Sequence, residues 1–239
     1  MNVDDEPLTH VVDGDPVVRK EISALLETVG LLAAASANGA ELLAAVDPGR
    51  AGCIVSEMRL TDMTGIELLR RLKERGAAQP VIFVTGHADV AMTVAGFKAG
   101  AVELISKPFP RQELLDAVQR ALDADRKARR GIAERTDYVE RVRKLTPRER
   151  NVFALLLNGL TNHTIGERLG ITRKTVEIHR LRVMRKLSAK SFAELVRRRF
   201  TSATMIEGRR QPRPKSPSPA VSAAVRESRR SSRPLIHPC

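Results

Sequence analysis

The stretch CIVSEMRLTDMTGIELLRRL, residues 53–72, contains both patterns from which the fold class follows. It begins with a short apolar run at residues 53–55, which is followed by polar residues. After them, Ile66, Leu69 and Leu72 recur at the spacing of one helical face. A short apolar run followed by an amphipathic helix predicts one β–α unit.

The same alternation extends to both sides of this stretch. Apolar runs at residues 10–12, 81–84 and 104–105 predict further strands, and a weaker run lies at 32–35. Two more helical faces consist of Ile22, Leu25, Leu26 and Val29, and of Leu114, Leu115, Val118 and Leu122. Five β–α units predict an α/β domain with a doubly wound, five-stranded parallel sheet.

Polar residues follow the predicted strands at the points where these end. In open parallel sheets, functional groups collect beyond the carboxyl ends of the strands. We therefore expect one pocket at that edge of the sheet, formed by Asp13, Asp15, Glu57, Thr85 and Lys107.

Residues 8–124 resemble the receiver domain of response regulators, particularly the FixJ group. The resemblance is carried by VVDGDPVVRK, CIVSEMRLTDMTGIELL and VIFVTGHADVAMTVAGFKAGAVELISKPF. It implies that two acidic residues after the first strand help to hold Mg²⁺ and that an aspartate after the third strand accepts a phosphoryl group. It also implies that Thr85 and Lys107 contact the phosphoryl oxygens and that the Lys107–Pro108 bond is cis.

Three positions depart from the receiver pattern. Glu57 stands where the aspartate is expected, and its extra methylene displaces the carboxylate from the attacking position. Gly14 replaces the second acidic residue and removes an oxygen ligand of Mg²⁺, while Asp15, in a turn, is expected to point elsewhere. Leu104 stands where the family often has a switching aromatic residue. We therefore expect no cofactor, no metal site and no aspartyl phosphorylation.

Two interpretations of the receiver remain open. In the first, the charge of Glu57 lies toward Lys107 and Thr85 and biases the domain to an active-like state, which requires a better interaction with one conformer than with the other. In the second, the receiver is an inert module for dimerisation and folding.

The second half of the chain is basic and accounts for the net charge of +13. Residues 146–149, TPRE, combine a capping box with proline at the first helical position. They predict a helix that ends at Gly159, a second helix at 162–169 and a third from Arg173 to about Leu187. This pattern predicts a small all-α helix-turn-helix domain over residues 142–207. A helical linker is expected at 125–141, with a short coiled coil as the alternative.

Residues 145–198, LTPRERNVFALLLNGLTNHTIGERLGITRKTVEIHRLRVMRKLSAKSFAELVRR, resemble the LuxR-type DNA-binding domain. The resemblance implies that residues 161–163 approach phosphate and that residues 172–182 face the major groove. The residues expected at DNA are Thr161, Asn162, His163, Thr172, Lys174, Thr175, Glu177, Ile178, Arg180, Leu181, Arg182 and Lys186.

The roles of single residues at DNA are predicted from their chemistry. Glu177 can accept a hydrogen bond from a cytosine amino group or repel wrong registers, and Ile178 and Leu181 can contact thymine methyl groups. His179 is expected to be packed and hydrogen-bonded in the domain core.

The remaining features limit the location and the function classes. Residues 208–239, rich in Pro, Ser and Arg, predict a disordered basic tail. The two cysteines make no disulfide framework, and the sequence has no membrane-spanning stretch, so we expect a protein of the bacterial cytoplasm. An enzyme is not expected, because the sequence lacks a nucleophile–base pairing, a metal-ligand cluster and a phosphate-binding glycine loop.

We therefore predict a sequence-specific DNA-binding transcriptional regulator that is independent of phosphorylation. The alternative is an antagonist or co-regulator that forms heterodimers with a related regulator. The expected partners are double-stranded DNA, a second copy or a related regulator, and RNA polymerase. A sensor histidine kinase and a membrane are not expected.

Overall fold

A computed structural model describes residues 6–86 and 90–195 of the chain. The chain divides into two compact units between Asp137 and Tyr138. The predicted disordered tail at 208–239 lies outside the described residues, as does the predicted end of the second domain beyond Leu195. In the described ranges, no helix combines the length and apolarity that crossing a membrane requires.

The N-terminal unit contains a five-stranded parallel sheet in the order β2-β1-β3-β4-β5, which confirms the predicted fold class. The strands are β1 (Leu8–Val12), β2 (Leu32–Ser36), β3 (Gly52–Ser56), β4 (Val81–Thr85) and β5 (Glu103–Ser106). The helices are α1 (Pro16–Glu27), α2 (Gly39–Ala45), α3 (Gly65–Glu74), α4 (Val90–Ala99) and α5 (Arg111–Arg143).

Both faces of the sheet are covered by helices, as expected for parallel strands. Every residue of β3 is buried, and its side chains alternate between the two faces. Cys53 and Val55 pack against Leu114 of α5, whereas Ile54 packs on the opposite side with Leu68 of α3. Burial raises the pKa of the Cys53 thiol to about 12, so this side chain packs in the core as a small uncharged residue.

The long helix α5 contributes side chains to both units. Asp125 is buried, accepts a hydrogen bond from Gly52 N–H at 3.0 Å and pairs with Arg129 at 2.7 Å. The guanidinium of Arg129 also donates to carbonyl oxygens of the loop at residues 48–50. Tyr138, further along the same helix, is buried in the core of the C-terminal unit. The segment predicted as a linker therefore holds anchors to each unit.

The C-terminal unit contains α6 (Pro147–Leu157), α7 (Asn162–Leu169) and α8 (Arg173–Lys186). The predicted capping box is present, because the Thr146 hydroxyl accepts from Glu149 N–H and the Glu149 carboxylate accepts from Thr146 N–H. Gly170 adopts the left-handed conformation after α7 with φ of 63° and supplies the predicted turn.

The three helices meet in an apolar core. Val152 of α6, Ile165 of α7 and Val176 of α8 are fully buried and lie in one cluster. The turn before α8 passes close to Gly166, where a Cβ atom would lie 2.7 Å from the carbonyl oxygen of Ile171. The absence of a side chain at Gly166 therefore sets how closely this turn approaches α7.

Candidate functional site

Four of the five polar residues predicted at the sheet edge lie together. Asp13 follows β1, Glu57 follows β3, Thr85 ends β4 and Lys107 follows β5. Because the strands are parallel, their carboxyl ends meet at one edge and bring these side chains together. The Lys107–Pro108 peptide bond is cis, as the resemblance implied.

The ammonium group of Lys107 joins the two carboxylates of this site. Its Nζ atom lies 2.6 Å from Asp13 Oδ2 and 2.8 Å from Glu57 Oε2. Burial alone would lower the pKa of Lys107, but hydrogen bonds and charge from Asp13 and Glu57 raise it above its ordinary value. The lysine therefore stays cationic and neutralises part of the acidic charge.

The carboxylate of Glu57 is bound through both of its oxygens. Oε2 contacts Lys107, and Oε1 accepts from Met58 N–H at 2.7 Å and from Arg59 N–H at 3.4 Å. The hydroxyl of Thr85 also donates to this carboxylate. Burial alone would raise the pKa of Glu57, but these donors and the charge of Lys107 hold it below its ordinary value. Glu57 is therefore ionised and surrounded by donors.

Asp15 is placed differently from the predicted pocket. Its carboxylate caps α1 by accepting from Val17 N–H at 2.8 Å, and only its backbone N–H approaches the site, by donating to Asp13 Oδ1. A carboxylate one residue before a helix satisfies an otherwise unpaired N–H group. Capping therefore removes Asp15 from the group of residues around Lys107, which corrects its assignment to the pocket and agrees with the expectation that its side chain points elsewhere.

The other two departures from the receiver pattern are also visible. Gly14 is exposed, and a Cβ atom there would meet only Thr61 Cγ2, at 3.4 Å. Leu104 is half-buried and packs against the apolar cluster on the α3 side of the sheet. Neither residue adds a polar group to the site.

The residues present do not fit a divalent cation of the Mg²⁺ type. Such an ion requires several oxygen ligands, but Gly14 supplies none and Asp15 is used as a helix cap. The charge of Asp13 and Glu57 is already shared by the ammonium of Lys107. Within residues 6–86 and 90–195, no group of three acidic, His or Cys side chains could hold a metal.

A second candidate site lies on the outer face of α8. Lys174, Ile178, Leu181, Arg182 and Arg185 are exposed on this helix. On the opposite face, Val176 and Val183 are fully buried in the core. The structure therefore places four of the eight predicted DNA-contacting residues of this helix, Lys174, Ile178, Leu181 and Arg182, on its solvent side, together with Arg185, which was not among the residues expected at DNA.

Several of the other predicted DNA-contacting residues have partners inside the domain. Thr161 and Thr172 cap α7 and α8, accepting from Thr164 N–H and Thr175 N–H. Asn162 and His163 form the first turn of α7. Two side chains of α8 are also paired: Glu177 with Arg173 at 3.1 Å, and Arg180 with the ring of Phe192 at 5.9 Å.

Lys186 is engaged away from the exposed face of α8. Its ammonium lies 2.7 Å from Glu149 Oε2, and Glu149 is only 3 % exposed. The sequence did not reveal this pair, because its members are 37 positions apart. We therefore assign Lys186 to domain stability, which corrects its place among the residues expected at DNA.

His179 lies partly buried on the inner side of α8, in agreement with the predicted packing. Its Nδ1 atom is buried and has no hydrogen-bond partner among the described residues. The predicted hydrogen bond of this side chain is therefore not present at Nδ1.

The Glu149–Lys186 pair gives the C-terminal unit a pH-dependent stability. The hydrogen bond from Lys186 lowers the pKa of Glu149 from 4.5 to about 2. Because the unfolded chain binds this proton more readily, stability is lost as the pH falls from 4.5 toward 2. We expect Glu149→Gln to flatten this part of the pH profile. Urea unfolding followed by tyrosine fluorescence measures it, since the only tyrosine is Tyr138, in this core.

A matched variant, Glu140→Gln, changes an exposed carboxylate that precedes the capping box. It is expected to retain the loss of stability in this pH window. An unchanged profile in Glu149→Gln would contradict the assignment of the pair.

Two family models match the chain. The model described as the response regulator receiver domain matches residues 9–119. The model described as bacterial regulatory proteins of the luxR family matches residues 143–198. These ranges contain the ion-pair site and α6–α8, respectively.

Curated relatives match both parts of the chain together. The transcriptional regulatory protein FixJ of Azorhizobium caulinodans is 40 % identical over 188 residues, which are 79 % of this chain and 89 % of FixJ. The C4-dicarboxylate transport transcriptional regulatory protein DctR of Rhodobacter capsulatus is 38 % identical, with 79 % and 96 % covered. The response regulator protein TodT of Pseudomonas putida is 34 % identical, with 79 % and 83 % covered.

Solved structures show the same similarity. The response regulator StyR has a TM-score of 0.71 and 36 % identity, with 82 % of this chain and 98 % of that chain covered. Full-length FixJ from B. japonicum has a TM-score of 0.52 and 34 % identity, with 83 % and 98 % covered.

Proposed function

Because the chain belongs to the response regulators that join a receiver to a LuxR-type DNA-binding domain, we propose that its receiver controls DNA binding without phosphorylation. The chain is a DNA-binding transcriptional regulator and not an enzyme.

The observation that carries the proposal is the position of the Glu57 carboxylate. It accepts hydrogen bonds from the ammonium of Lys107, the hydroxyl of Thr85 and two backbone N–H groups. The resemblance to receiver domains implies that Lys107 and Thr85 stand where the groups that contact phosphoryl oxygens are expected. The carboxylate of Glu57 thus supplies a permanent negative charge to donors suited to an anion.

The same geometry disfavours phosphoryl transfer to Glu57. A carboxylate that attacks phosphorus needs a free oxygen and a cation that neutralises the transferred group. Both oxygens of Glu57 are engaged, and Asp13 is paired with Lys107. We propose that the receiver also works without Mg²⁺ and without a cognate sensor histidine kinase.

DNA binding is assigned to the exposed face of α8. Positive charge for phosphate is supplied by Lys174, Arg182 and Arg185. The first turn of α7, which contains Asn162 and His163, lies at the other end of the helix-turn-helix. Basic side chains and helix N-termini provide affinity that does not depend on base sequence. RNA polymerase is a further partner that we propose from the regulator class alone.

The variant Glu57→Gln tests the role of the receiver. It keeps the size of the side chain but removes the charge that Lys107 and Thr85 bind. We expect at least about tenfold weaker binding to duplex DNA from the region upstream of the protein's own gene, because one charged hydrogen-bonded pair is worth about 1.5–3 kcal/mol. A gel-shift titration at constant salt measures this change.

The control is Glu27→Gln, which removes an exposed carboxylate at the end of α1. It is expected to bind DNA as the unchanged chain does. Equal affinity in Glu57→Gln and the unchanged chain would indicate an inert receiver and contradict the proposed bias.

We further propose that the regulator acts as a homodimer through α4 and β5. Val90, Val94 and Phe97 of α4 and Val102, which directly precedes β5, are exposed apolar residues, and the rim carries both a cation, Lys98, and an anion, Glu103. Such a patch can pair with itself across a two-fold axis. Val94→Asp with Phe97→Asp is expected to give a monomer in sedimentation analysis, whereas Ile132→Asp on α5 is not. Dimers of the double variant would contradict this assignment.

A further inference from the structure

The exposed face of α8 carries two apolar side chains, Ile178 and Leu181, among its cations. Leu181 is 70 % exposed and Ile178 is 43 % exposed, although Val176 and Val183 on the same helix are fully buried. Apolar side chains that are exposed among charged residues are not stabilised by contact with water. We expect such side chains where a binding partner covers them. Neither residue contributes to the core clusters of the domain.

The helical positions place these residues in one line. At 100° per residue, Lys174, Ile178, Leu181 and Arg185 fall within one narrow face of α8. The apolar pair thus lies between a cation toward the start of the helix and one toward its end. From Lys174 to Arg185 the helix extends about 16 Å, which corresponds to about five base-pair steps at 3.4 Å each.

The charges around the apolar pair determine the kind of partner. Lys174, Arg182 and Arg185 are exposed, and the carboxylate of Glu177 is paired with Arg173 at 3.1 Å. The exposed cations fit the negative charges of a polyanion, and the apolar pair between them fits apolar groups of the same partner. In the free protein, the carboxylate of Glu177 is thus partnered within its own helix.

We infer that this regulator selects its DNA sites through the C5-methyl groups of pyrimidines, which Ile178 and Leu181 contact in the major groove. The inference rests on the proposed DNA-binding role of α8 and names the feature of the base sequence that this helix reads. The C5-methyl group is the apolar group that thymine presents in the major groove. The same group is present on 5-methylcytosine and absent from uracil and cytosine.

The test compares duplexes that differ only in methyl groups. A preferred duplex is first selected from a random-sequence pool with the full chain, and its thymines are then replaced by uracil. Since burial of one methyl group is worth about 0.8 kcal/mol, each contacted thymine is expected to contribute about fourfold to affinity. Two contacted thymines are expected to give about 15-fold weaker binding of the uracil duplex.

The variants identify the side chains involved. Leu181→Ala and Ile178→Ala are each expected to bind the thymine duplex more weakly and to lose part of the preference for thymine over uracil. Because both side chains are exposed, the fold is expected to persist, and circular dichroism checks this. The control Ile132→Ala, at an exposed position of α5, is expected to keep the full preference.

The possible results separate this inference from the proposed function. A preference for thymine that is lost in the two α8 variants supports the inference. Equal affinity for thymine and uracil duplexes, or a preference that survives both variants, overturns it and leaves DNA binding intact. Failure of the full chain to retain any duplex at low salt contradicts the proposed DNA contact itself.

Discussion

The double variant Gly14→Asp with Glu57→Asp is expected to take up a phosphoryl group from acetyl phosphate when Mg²⁺ is present, whereas the unchanged chain takes up none. The substitutions restore the acidic residue after β1 and the shorter carboxylate after β3. Intact-protein mass spectrometry measures the added phosphoryl group. We expect the labelling of the double variant to exceed the detection limit set by the unchanged chain by at least about 10²-fold, the scale on which charge stabilisation affects such reactions.

The structure has room for this restoration. A Cβ atom at residue 14 would meet only Thr61 Cγ2, at an ordinary contact distance of 3.4 Å. Asp13 already lies at the site, and Lys107 and Thr85 remain in place to contact an anion. The aspartate introduced at position 57 would be one methylene shorter, so its carboxylate would withdraw from the backbone N–H groups that bind Glu57.

Single variants and the metal provide the controls. Gly14→Asp alone keeps Glu57 and is expected to remain unlabelled, and omission of Mg²⁺ is expected to abolish labelling of the double variant. Labelling of the unchanged chain at Glu57 to the same extent as the double variant would contradict a receiver that is independent of phosphorylation.

The second large effect is expected from the exposed cations of α8. Lys174→Ala with Arg182→Ala should lower the affinity for duplex DNA by about 100-fold near 0.1 M salt, since a charged hydrogen bond is worth about 1.5 kcal/mol. The dependence of affinity on salt should also become less steep, by about one unit in the logarithmic slope for each lost phosphate contact. Fluorescence anisotropy at several salt concentrations measures both quantities.

A pair of exposed lysines outside the C-terminal unit gives a matched control. Lys20→Ala with Lys127→Ala removes the same charge from α1 and α5. These changes are expected to leave the slope unaltered. A loss of slope equal to that of the α8 variant would mean that net charge, and not the face of α8, controls binding.

The sequence predicted the sheet well because its signals are local. The apolar runs of β1, β3 and β4 are short, are bounded by polar residues and are buried on both faces in the structure. The caps Thr146, Thr161 and Thr172 begin three helices because their hydroxyl oxygens accept from N–H groups three residues ahead. Such contacts lie within one turn of chain and can be predicted from spacing.

The site was less predictable where the partner of a residue is distant or is a backbone group. The residue type of Asp15 is equally suited to a metal site and to a helix cap. Its position directly before α1 decides for the cap, because there its carboxylate accepts from Val17 N–H. The backbone N–H groups of Met58 and Arg59 bind Glu57, but the residue types at these two positions do not indicate this contact. The pairing of Lys186 with Glu149 depends on how α8 packs against the start of α6.

The two anchors of α5 determine where the chain can be divided for separate expression of its parts. A fragment that ends before Arg129 would lose the guanidinium that binds the carbonyl groups of residues 48–50 and would leave Asp125 buried without its cation. A fragment that starts after Tyr138 would lose an aromatic side chain from the second core. Only a division within residues 130–137 keeps Asp125 and Arg129 in the N-terminal fragment and Tyr138 in the C-terminal fragment.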